Sequence, residues 1–281
     1  MTIWSDGKFI DDGDFRVSPL DRGLCHGLSL FETLLAVGGK PRLVGEHLAR
    51  LESGLDRLGV DSVAMDVGGL EKVMVALLAK NGLESGMARI RFTVSFGEGP
   101  LNQIDSGRAW AWMTATRAQT AGTTVNMTTA PWRRDTESVL RGLKVGNYAE
   151  HLVATDMARR EGFGEMLFFN TSDELCEAAM ANVFLIRGGK LFTPSLDSGC
   201  LAGVTRQLVI ELAREKNIRC FEKPLKKSDL KKADGIFLTS SVTGPVRVSM
   251  FGSKQFAEQL LFNQVRELWL KAMGIGEWVE D

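Results

Sequence analysis

The chain of 281 residues contains little cysteine, little proline and a single tyrosine, and it carries almost no net charge. Its four cysteines are Cys25, Cys176, Cys200 and Cys220. They are too few and too scattered for a disulfide framework, and no two of them form a CxxC pair. We therefore expect reduced thiols in a cytoplasmic protein and no metal site.

Charge balance and hydrophobic pattern exclude further classes of protein. The 34 basic and 35 acidic residues give a net charge of −1, so no overall field would draw the chain to nucleic acid or to an anionic membrane. No segment approaches the roughly 20 apolar residues of a membrane-spanning helix, and the N-terminus lacks an apolar signal core. The composition, 44% hydrophobic and 25% charged, is typical of a soluble globular protein. We expect its partner to be a small molecule.

The first half of the chain alternates predicted strands and helices. Asp6-Gly7 and Gly38-Gly39 each lie between apolar segments, which is typical of a β-hairpin. Leucines at three- and four-residue spacing indicate an amphipathic helix. The predicted helices cover about 45–58 and 69–80, and the predicted strands cover 88–96 and 109–116.

The polar segment 117–123 has no periodicity, and we interpret it as the crossing between two domains, 1–118 and 123–281. In the second half, strands are predicted at 124–130, 165–169 and 181–187, and helices at 147–161, from about 204, and at about 254–273. Strands and helices mixed in both halves predict α+β domains rather than a doubly wound sheet. A junction between two such domains is a common place for a small-molecule pocket.

Two segments could bind an anion. Gly203 stands directly before a predicted amphipathic helix that has Val204 and Thr205 in its first turn. Free backbone N–H groups and the positive end of the helix dipole attract anions there, although Gly and Thr are also ordinary N-terminal cap residues. The hydroxyl side chains at 239–241 follow an apolar strand and could bind a phosphate or form a turn.

Two further segments contain a carboxylate and a lysine in unusual surroundings. Glu177 and Asn182 flank small residues before an apolar strand. A carboxylate beside the core can hold a proton on a heterocyclic nitrogen, but an exposed charge at a strand end is the alternative. Lys144 stands between two apolar residues at the start of a predicted helix. A partly buried lysine can act as a nucleophile or a base, whereas most lysines are solvated surface groups.

In order and spacing, these segments resemble the class IV, or fold type IV, enzymes that use pyridoxal 5′-phosphate (PLP). That family includes branched-chain aminotransferases, D-amino-acid aminotransferases and 4-amino-4-deoxychorismate lyases. SPLDRGLCHGLSLFET at 18–33 is similar to the family's opening, and GEHLARLESGLDRLG at 45–59 resembles the helix whose arginine contacts the cofactor phosphate. The resemblance covers nearly the whole chain. It implies a homodimer in which each chain has a smaller N-terminal α/β sandwich, a larger C-terminal α+β domain and a cofactor site between them.

The resemblance also implies a role for individual residues. Lys144 would form the Schiff base with PLP, and Glu177 would pair with the pyridine nitrogen. Tyr148, one helical turn from Lys144, could hydrogen-bond near the cofactor or merely pack. The cofactor-binding residues implied by the match are Arg50, Lys144, Tyr148, Glu177, Asn182, Gly203, Val204, Thr205, Ser240 and Ser241.

The substrate-binding residues must distinguish a lyase from a transaminase, because both reactions share their early steps. LSLFET resembles the lyases more than the D-amino-acid enzymes, in which a tyrosine commonly replaces Phe31. Many lyases and D-amino-acid enzymes have an Arg-Gly pair where this chain has SFGEG at 95–99. Arg91 resembles a branched-chain-type position, and Arg89 lies on the same strand face. Either arginine could instead form a structural salt bridge.

The preferred prediction is a 4-amino-4-deoxychorismate lyase, which releases 4-aminobenzoate and pyruvate in folate biosynthesis. The alternatives are a transaminase for branched-chain L-amino acids or D-amino acids, and a non-catalytic PLP-binding protein. His47, on the same helix side as Arg50, is a further candidate for substrate contact, although a surface histidine is equally compatible with the pattern.

Overall fold

The computed structural model describes residues 1–60, 67–105, 108–118 and 122–276. Their mixture of strands and helices confirms the predicted α+β class. The chain divides into two units, one of Met1–Gln119 with Leu143–Tyr148 and one of Thr120–Gly142 with Ala149–Val279. The predicted crossing at 117–123 falls partly outside the described residues.

Six antiparallel strands form the sheet of the first unit, in the order β2-β1-β6-β5-β3-β4. They are β1 (Thr2–Ser5), β2 (Lys8–Asp11), β3 (Ser29–Val37), β4 (Lys40–Pro41), β5 (Met87–Ser95) and β6 (Trp110–Arg117). Both predicted hairpins are confirmed. Asp6 and Gly7 have φ angles of 47° and 92°, and a two-residue turn with two positive φ values favours an Asp-Gly sequence.

Three helices accompany this sheet: α1 (Arg22–His26), α2 (Val44–Arg57) and α3 (Val67–Lys80). The predicted leucine spacing on α2 is confirmed, because Leu48, Leu51 and Leu55 are all buried in the core of this unit. Burial of one face therefore fixes the rotation of α2 about its axis.

Residues 143–148 belong to the first unit through backbone contacts with β3. Lys144 O accepts a hydrogen bond of 3.0 Å from Phe31 N, and Gly146 N donates one of 2.6 Å to Ser29 O. A Cβ atom on Gly146 would lie 1.9 Å from Ser29 Oγ. Only glycine therefore allows this close approach, which places Lys144 beside β3.

Nine strands form the sheet of the second unit, in the order β12-β11-β10-β13-β14-β7-β8-β9 with β15 on β14. They are β7 (Thr124–Arg134), β8 (Glu165–Asn170), β9 (Leu175–Ala178), β10 (Asn182–Arg187), β11 (Lys190–Thr193), β12 (Cys220–Glu222), β13 (Gly235–Ser240), β14 (Gly244–Phe251) and β15 (Lys254–Gln255). Strand β7 runs parallel to both of its neighbours, β14 and β8.

The helices of the second unit are α4 (Ala149–Arg160), α5 (Val204–Glu215), α6 (Lys227–Lys231) and α7 (Leu260–Met273). The prediction of a helix from about 254 was wrong by one turn and a half, because Lys254–Gln255 pair with the end of β14. Phe184 and Phe237 stack at 4.8 Å in a core shared with α5 and α7. No helix within the described residues is long and apolar enough to cross a membrane.

Candidate active site

The amine of Lys144 lies against two aromatic rings of the first unit. Its Nζ is 4.3 Å from the ring centroid of Phe31 and 5.4 Å from that of Tyr148. The two rings meet edge to face with their centroids 5.3 Å apart. The structure therefore brings together three of the predicted site residues, in a setting where ring faces attract a cationic amine.

Arg91 shares the Phe31 ring with Lys144. Its Cζ atom lies 3.8 Å from the ring centroid, so a guanidinium and the lysine amine contact the same aromatic side chain. Arg89 precedes it by two residues on β5 and projects from the same face. Desolvation and the nearby charge of Arg89 lower the pKa of Arg91, and Tyr148 opposes this shift. Of the two arginines predicted to contact the substrate, Arg91 therefore lies on the ring that Lys144 contacts, and Arg89 lies close enough to Arg91 to affect its pKa.

A buried ion cluster lies between β3 and α2. Glu32 is fully buried and accepts hydrogen bonds from His47 Nδ1 at 2.7 Å and from Arg50 Nε and Nη2 at 2.8 and 2.6 Å. Burial alone would raise the pKa of Glu32, but the charge of Arg50 and the hydrogen bonds from His47 and Arg50 lower it to about 2. The alternative of a surface His47 is therefore wrong, since its side chain is buried on Glu32. Pairing with Glu32 fixes the orientation of the Arg50 guanidinium.

In the second unit, both backbone polar groups of Leu201 are hydrogen-bonded to predicted site residues. Leu201 N donates to Glu177 Oε2 at 2.9 Å, and Leu201 O accepts from Asn182 Nδ2 at 2.8 Å. Glu177 is almost fully buried, and Arg134 Nη2 lies 4.0 Å from its Oε1 atom. Arg134 also pairs with Glu150 on α4. The alternative of an exposed carboxylate at 177 is therefore wrong.

The start of α5 has the features of a phosphate site. Gly203 is the N-cap residue and makes no side-chain capping bond, and a Cβ atom there would lie 1.9 Å from Asn182 Oδ1. Val204 and Thr205 are buried in the first turn. Thr205 Oγ1 has no hydrogen-bond partner among the described residues. A buried hydroxyl without a partner is costly, and a helix N-terminus with such a group suits an anionic ligand such as the PLP phosphate.

Hydroxyl side chains also cluster where β13 ends. Ser240 Oγ and Thr243 Oγ1 are 2.6 Å apart, and Ser241 lies between them in the turn, half-buried. Thr239 pairs with Asn182 across the β13–β10 ladder. Thr239 Oγ1 is a second buried hydroxyl that lacks a partner within the described part of the chain. The predicted hydroxyl cluster at 239–241 therefore begins at the strand neighbour of Asn182.

Sequence reasoning did not identify Glu32, Arg134, Leu201 and Thr243 as site residues. Glu32 could have been found, because it belongs to the FET motif that carries the resemblance. Arg134 and Leu201 gave no signal, since their partners lie far away in the sequence. Among the described residues, no group of three or more histidine, cysteine, aspartate or glutamate side chains is arranged to hold a metal ion.

Comparison with known proteins gives the family. The family model for amino-transferase class IV matches residues 29–251. A putative branched-chain-amino-acid aminotransferase of Methanocaldococcus jannaschii is 28% identical over 282 residues, covering 96% of this chain and 98% of that protein. The aminodeoxychorismate lyase of Bacillus subtilis is 28% identical over 244 residues, covering 85% and 83%.

The fold agrees with that assignment. The crystal structure of a putative 4-amino-4-deoxychorismate lyase from Legionella pneumophila has a TM-score of 0.88 and 26% sequence identity, and the match covers 93% of this chain and 97% of that one. Enzymes of this class use PLP, and the helix start at Gly203 and the buried carboxylate of Glu177 fit that cofactor. The chain is therefore a PLP-dependent enzyme that belongs to the class IV aminotransferase family.

Proposed function

We propose that Lys144 is the catalytic residue, binding the aldehyde carbon of PLP and moving the proton at the substrate carbon next to the amino group. The contact of its amine with Phe31 and Tyr148 supports this role. When bound, PLP supplies the electron sink that stabilises negative charge at that carbon. Lys144 Nζ, once the substrate amine has replaced it, serves as the base.

Other residues would hold the cofactor. We assign the buried carboxylate of Glu177 to the ring nitrogen, where its negative charge would stabilise a bound proton. Arg50, oriented by Glu32, would donate charge-assisted hydrogen bonds to the phosphate. The remaining cofactor contacts in this proposal are Tyr148, Asn182, Gly203, Val204, Thr205, Ser240 and Ser241. The unpaired hydroxyl of Thr205 supports the phosphate assignment most directly.

The position of Arg91 on the Phe31 ring is the observation that carries the choice of substrate. Arg91 places one guanidinium group on the ring that the reactive amine contacts, and Arg89 adds a second on the same strand face, two residues away. Two arginines suit a substrate with two carboxylates, and an apolar ring suits a cyclic one. Aminodeoxychorismate has both features. We therefore propose that the protein is an aminodeoxychorismate lyase that serves folate biosynthesis.

In that reaction, Lys144 takes the proton from the ring carbon that carries the amino group. The bond from the ring to the enolpyruvyl oxygen then breaks, and the oxygen leaves with the electron pair. The enolpyruvate gains a proton and becomes pyruvate, while the ring becomes aromatic as 4-aminobenzoate. Arg89 and Arg91 would hold the carboxylates through this step, and Phe31 would pack against the ring.

A transaminase is the second candidate, and the same Arg91 supports it, because its position resembles that of the branched-chain enzymes. An amino donor such as glutamate also carries two carboxylates. The Methanocaldococcus jannaschii relative, which is named a putative branched-chain-amino-acid aminotransferase, matches along nearly the whole chain. In this reaction Lys144 would return the proton to the cofactor, and an oxo acid would leave.

We further propose that the protein is a homodimer in the cytoplasm. Arg22 is buried and donates hydrogen bonds to carbonyl oxygens in the loop that follows β5, which joins that loop to α1. Exposed apolar side chains on these two segments are Leu24, Leu101 and Ile104, and the exposed Leu20 lies directly before the N-cap residue of α1. Exposed apolar side chains on joined segments favour contact with another protein surface. The four free thiols suit a reducing compartment.

The test is to give the purified, PLP-loaded protein aminodeoxychorismate and to quantify 4-aminobenzoate and pyruvate. The lyase proposal predicts both products at equal rates, well above those of Lys144→Ala. Absence of both products in a protein that retains PLP contradicts it. A panel of L- and D-amino acids, scored by conversion of the cofactor to pyridoxamine phosphate, then tests the transaminase. Turnover by Lys144→Ala at the wild-type rate would contradict the catalytic assignment itself.

A further inference from the structure

Glu165 is a buried carboxylate with no assigned part in holding the cofactor. It begins β8, and its side chain accepts three backbone hydrogen bonds: from Met166 N at 2.9 Å, Ala179 N at 3.1 Å and Met180 N at 3.2 Å. Ala179 and Met180 belong to the turn at 179–181, which joins β9 to β10. The carboxylate therefore ties this turn to the start of β8.

The turn at 179–181 connects two residues of the candidate active site. Glu177 lies two residues before it, and Asn182 follows it directly. Both bind the backbone of Leu201: Glu177 accepts from its N–H, and Asn182 donates to its carbonyl oxygen. The carbonyl oxygen of Ala179 accepts a hydrogen bond of 2.7 Å from His151 Nδ1. A shift of the turn would therefore move the Glu177 carboxylate relative to the Leu201 peptide.

We propose that Glu165 is a positioning residue, which fixes the turn at 179–181 so that the Glu177 carboxylate is held ready for the positively charged ring nitrogen of PLP. This inference rests on the proposed role of Glu177. Glu165 would act through Glu177 and would not itself touch the cofactor.

The electrostatics around Glu165 link it to the charge at Glu177. Burial raises the pKa of Glu165 to about 7, the three amide N–H groups oppose that shift, and the negative charge of Glu177 adds to it. Besides Glu177, the charged or titratable groups on the elements that neighbour β8 are Arg133 and Arg134 on β7, Cys176 on β9, and Glu150, His151, Asp156, Arg159 and Arg160 on α4. A positive charge bound at Glu177 would lower the pKa of Glu165. By linkage, the affinity for PLP must then rise as Glu165 ionises.

Glu165→Gln tests this role because glutamine keeps the shape and loses the charge. One carboxylate oxygen becomes an N–H2 group, which cannot accept a hydrogen bond. We expect the variant to bind PLP about tenfold more weakly than wild type at pH 8, which corresponds to about 1.4 kcal/mol. The difference should almost disappear at pH 6, where the wild-type carboxyl is protonated.

The affinities are measured by titrating the cofactor-free protein with PLP and following tryptophan fluorescence. Glu174→Gln is the matched control, because Glu174 accepts a hydrogen bond from Asn170 at the other end of β8. It should bind PLP like wild type at both pH values. An affinity ratio of wild type to Glu165→Gln that is equal at pH 6 and pH 8 would overturn the proposal, as would equal affinities at pH 8.

Two further measurements distinguish a wrong role of Glu177 from a wrong role of Glu165. If Glu177→Gln binds PLP like wild type, the proposed role of Glu177 is wrong. If Glu177→Gln binds weakly and Glu165→Gln does not, this inference alone is wrong. In wild-type protein labelled with ¹³C at the glutamate carboxyl carbons, the pKa of Glu165 should fall when PLP binds. An unchanged pKa would overturn the proposal even if Glu165→Gln does not fold.

Discussion

Glu32 in the first unit and Glu165 in the second are both buried carboxylates, yet their pKa values shift in opposite directions. Glu32 is fully buried and has a pKa of about 2, whereas Glu165 is 7% exposed and has a pKa of about 7. Glu32 faces Arg50 and His47. Glu165 accepts hydrogen bonds from three backbone amides and lies near another carboxylate, Glu177.

The comparison shows that burial does not decide the charge of a carboxylate. Burial raises both pKa values, and the neighbours determine the outcome. A cationic guanidinium outweighs the desolvation of Glu32, whereas three neutral amides do not outweigh that of Glu165. In the first unit the charge is compensated by the protein itself. In the second unit, the carboxylate of Glu177 and the unpaired hydroxyl of Thr205 suit a ligand that supplies a positive charge to the first and a hydrogen bond to the second.

Removing Glu32 should produce the largest effect. Glu32→Ala leaves Arg50 and His47 without their buried partner, so we expect the free energy of unfolding to fall by about 3–5 kcal/mol. Urea denaturation of the cofactor-free protein measures this change. Asp56→Ala on the exposed side of α2 is the control and should change stability by less than about 0.5 kcal/mol. A loss of under about 1 kcal/mol in Glu32→Ala would show that the ion cluster does not stabilise the fold.

Acid should remove the stabilisation that the ionised Glu32 carboxylate gives to the folded protein. Its pKa in the folded protein, about 2, lies below the ordinary value of 4.5, so the folded state binds fewer protons than the unfolded state between these values. Its stabilisation is therefore complete above about pH 5 and falls as the pH decreases. Relative to Glu32→Gln, wild type should lose about 2 kcal/mol between pH 6 and pH 3. Denaturation at both pH values gives the difference in the free energy of unfolding between wild type and Glu32→Gln. A difference that is the same at pH 6 and pH 3 would contradict the lowered pKa of Glu32.

The contribution of Glu165 to the free energy of unfolding should change with pH in the opposite direction, and at higher pH. Its pKa in the folded protein, about 7, lies above the ordinary 4.5, so the folded state keeps its proton longer than the unfolded state. Without cofactor, the stability of wild type relative to Glu165→Gln should fall by about 2.5 kcal/mol as the pH rises from 5 to 8. The same denaturation series measures it. A difference that stays constant or grows with pH would remove the contrast between the two carboxylates.

The smallest effect concerns Thr205, one of the buried hydroxyls without a partner among the described residues. Thr205→Val should leave the cofactor-free protein unchanged or slightly more stable, by up to about 1 kcal/mol, because it removes an unpaired buried hydroxyl. The same change should weaken PLP binding about fivefold through the loss of one hydrogen bond to the phosphate. Thr155→Val, whose hydroxyl bonds a carbonyl of its own helix, is the control. Unchanged PLP affinity in Thr205→Val would place the phosphate elsewhere.

Much of the fold could be predicted from local patterns. The hairpin at Asp6-Gly7 followed from turn chemistry, and the leucines of α2 followed from helical spacing. The start of α7 was misplaced because Lys254–Gln255 fold back on the end of β14 through a two-residue turn at Gly252, a local hairpin that the prediction did not include. Strands β9 and β14 were not predicted as separate elements.

The sequence by itself determined the α+β class, the order of the motifs and, through them, the family and its cofactor. These depend on residue types at short spacing, which the chain displays directly. Only the tertiary structure decided that His47 and Arg50 share Glu32, that Glu177 and Asn182 bind the N–H and the carbonyl group of Leu201, and that Glu165 accepts hydrogen bonds from the turn between them. Charge state, burial and hydrogen bonding depend on neighbours that are distant in the chain and meet only when the sheets have formed.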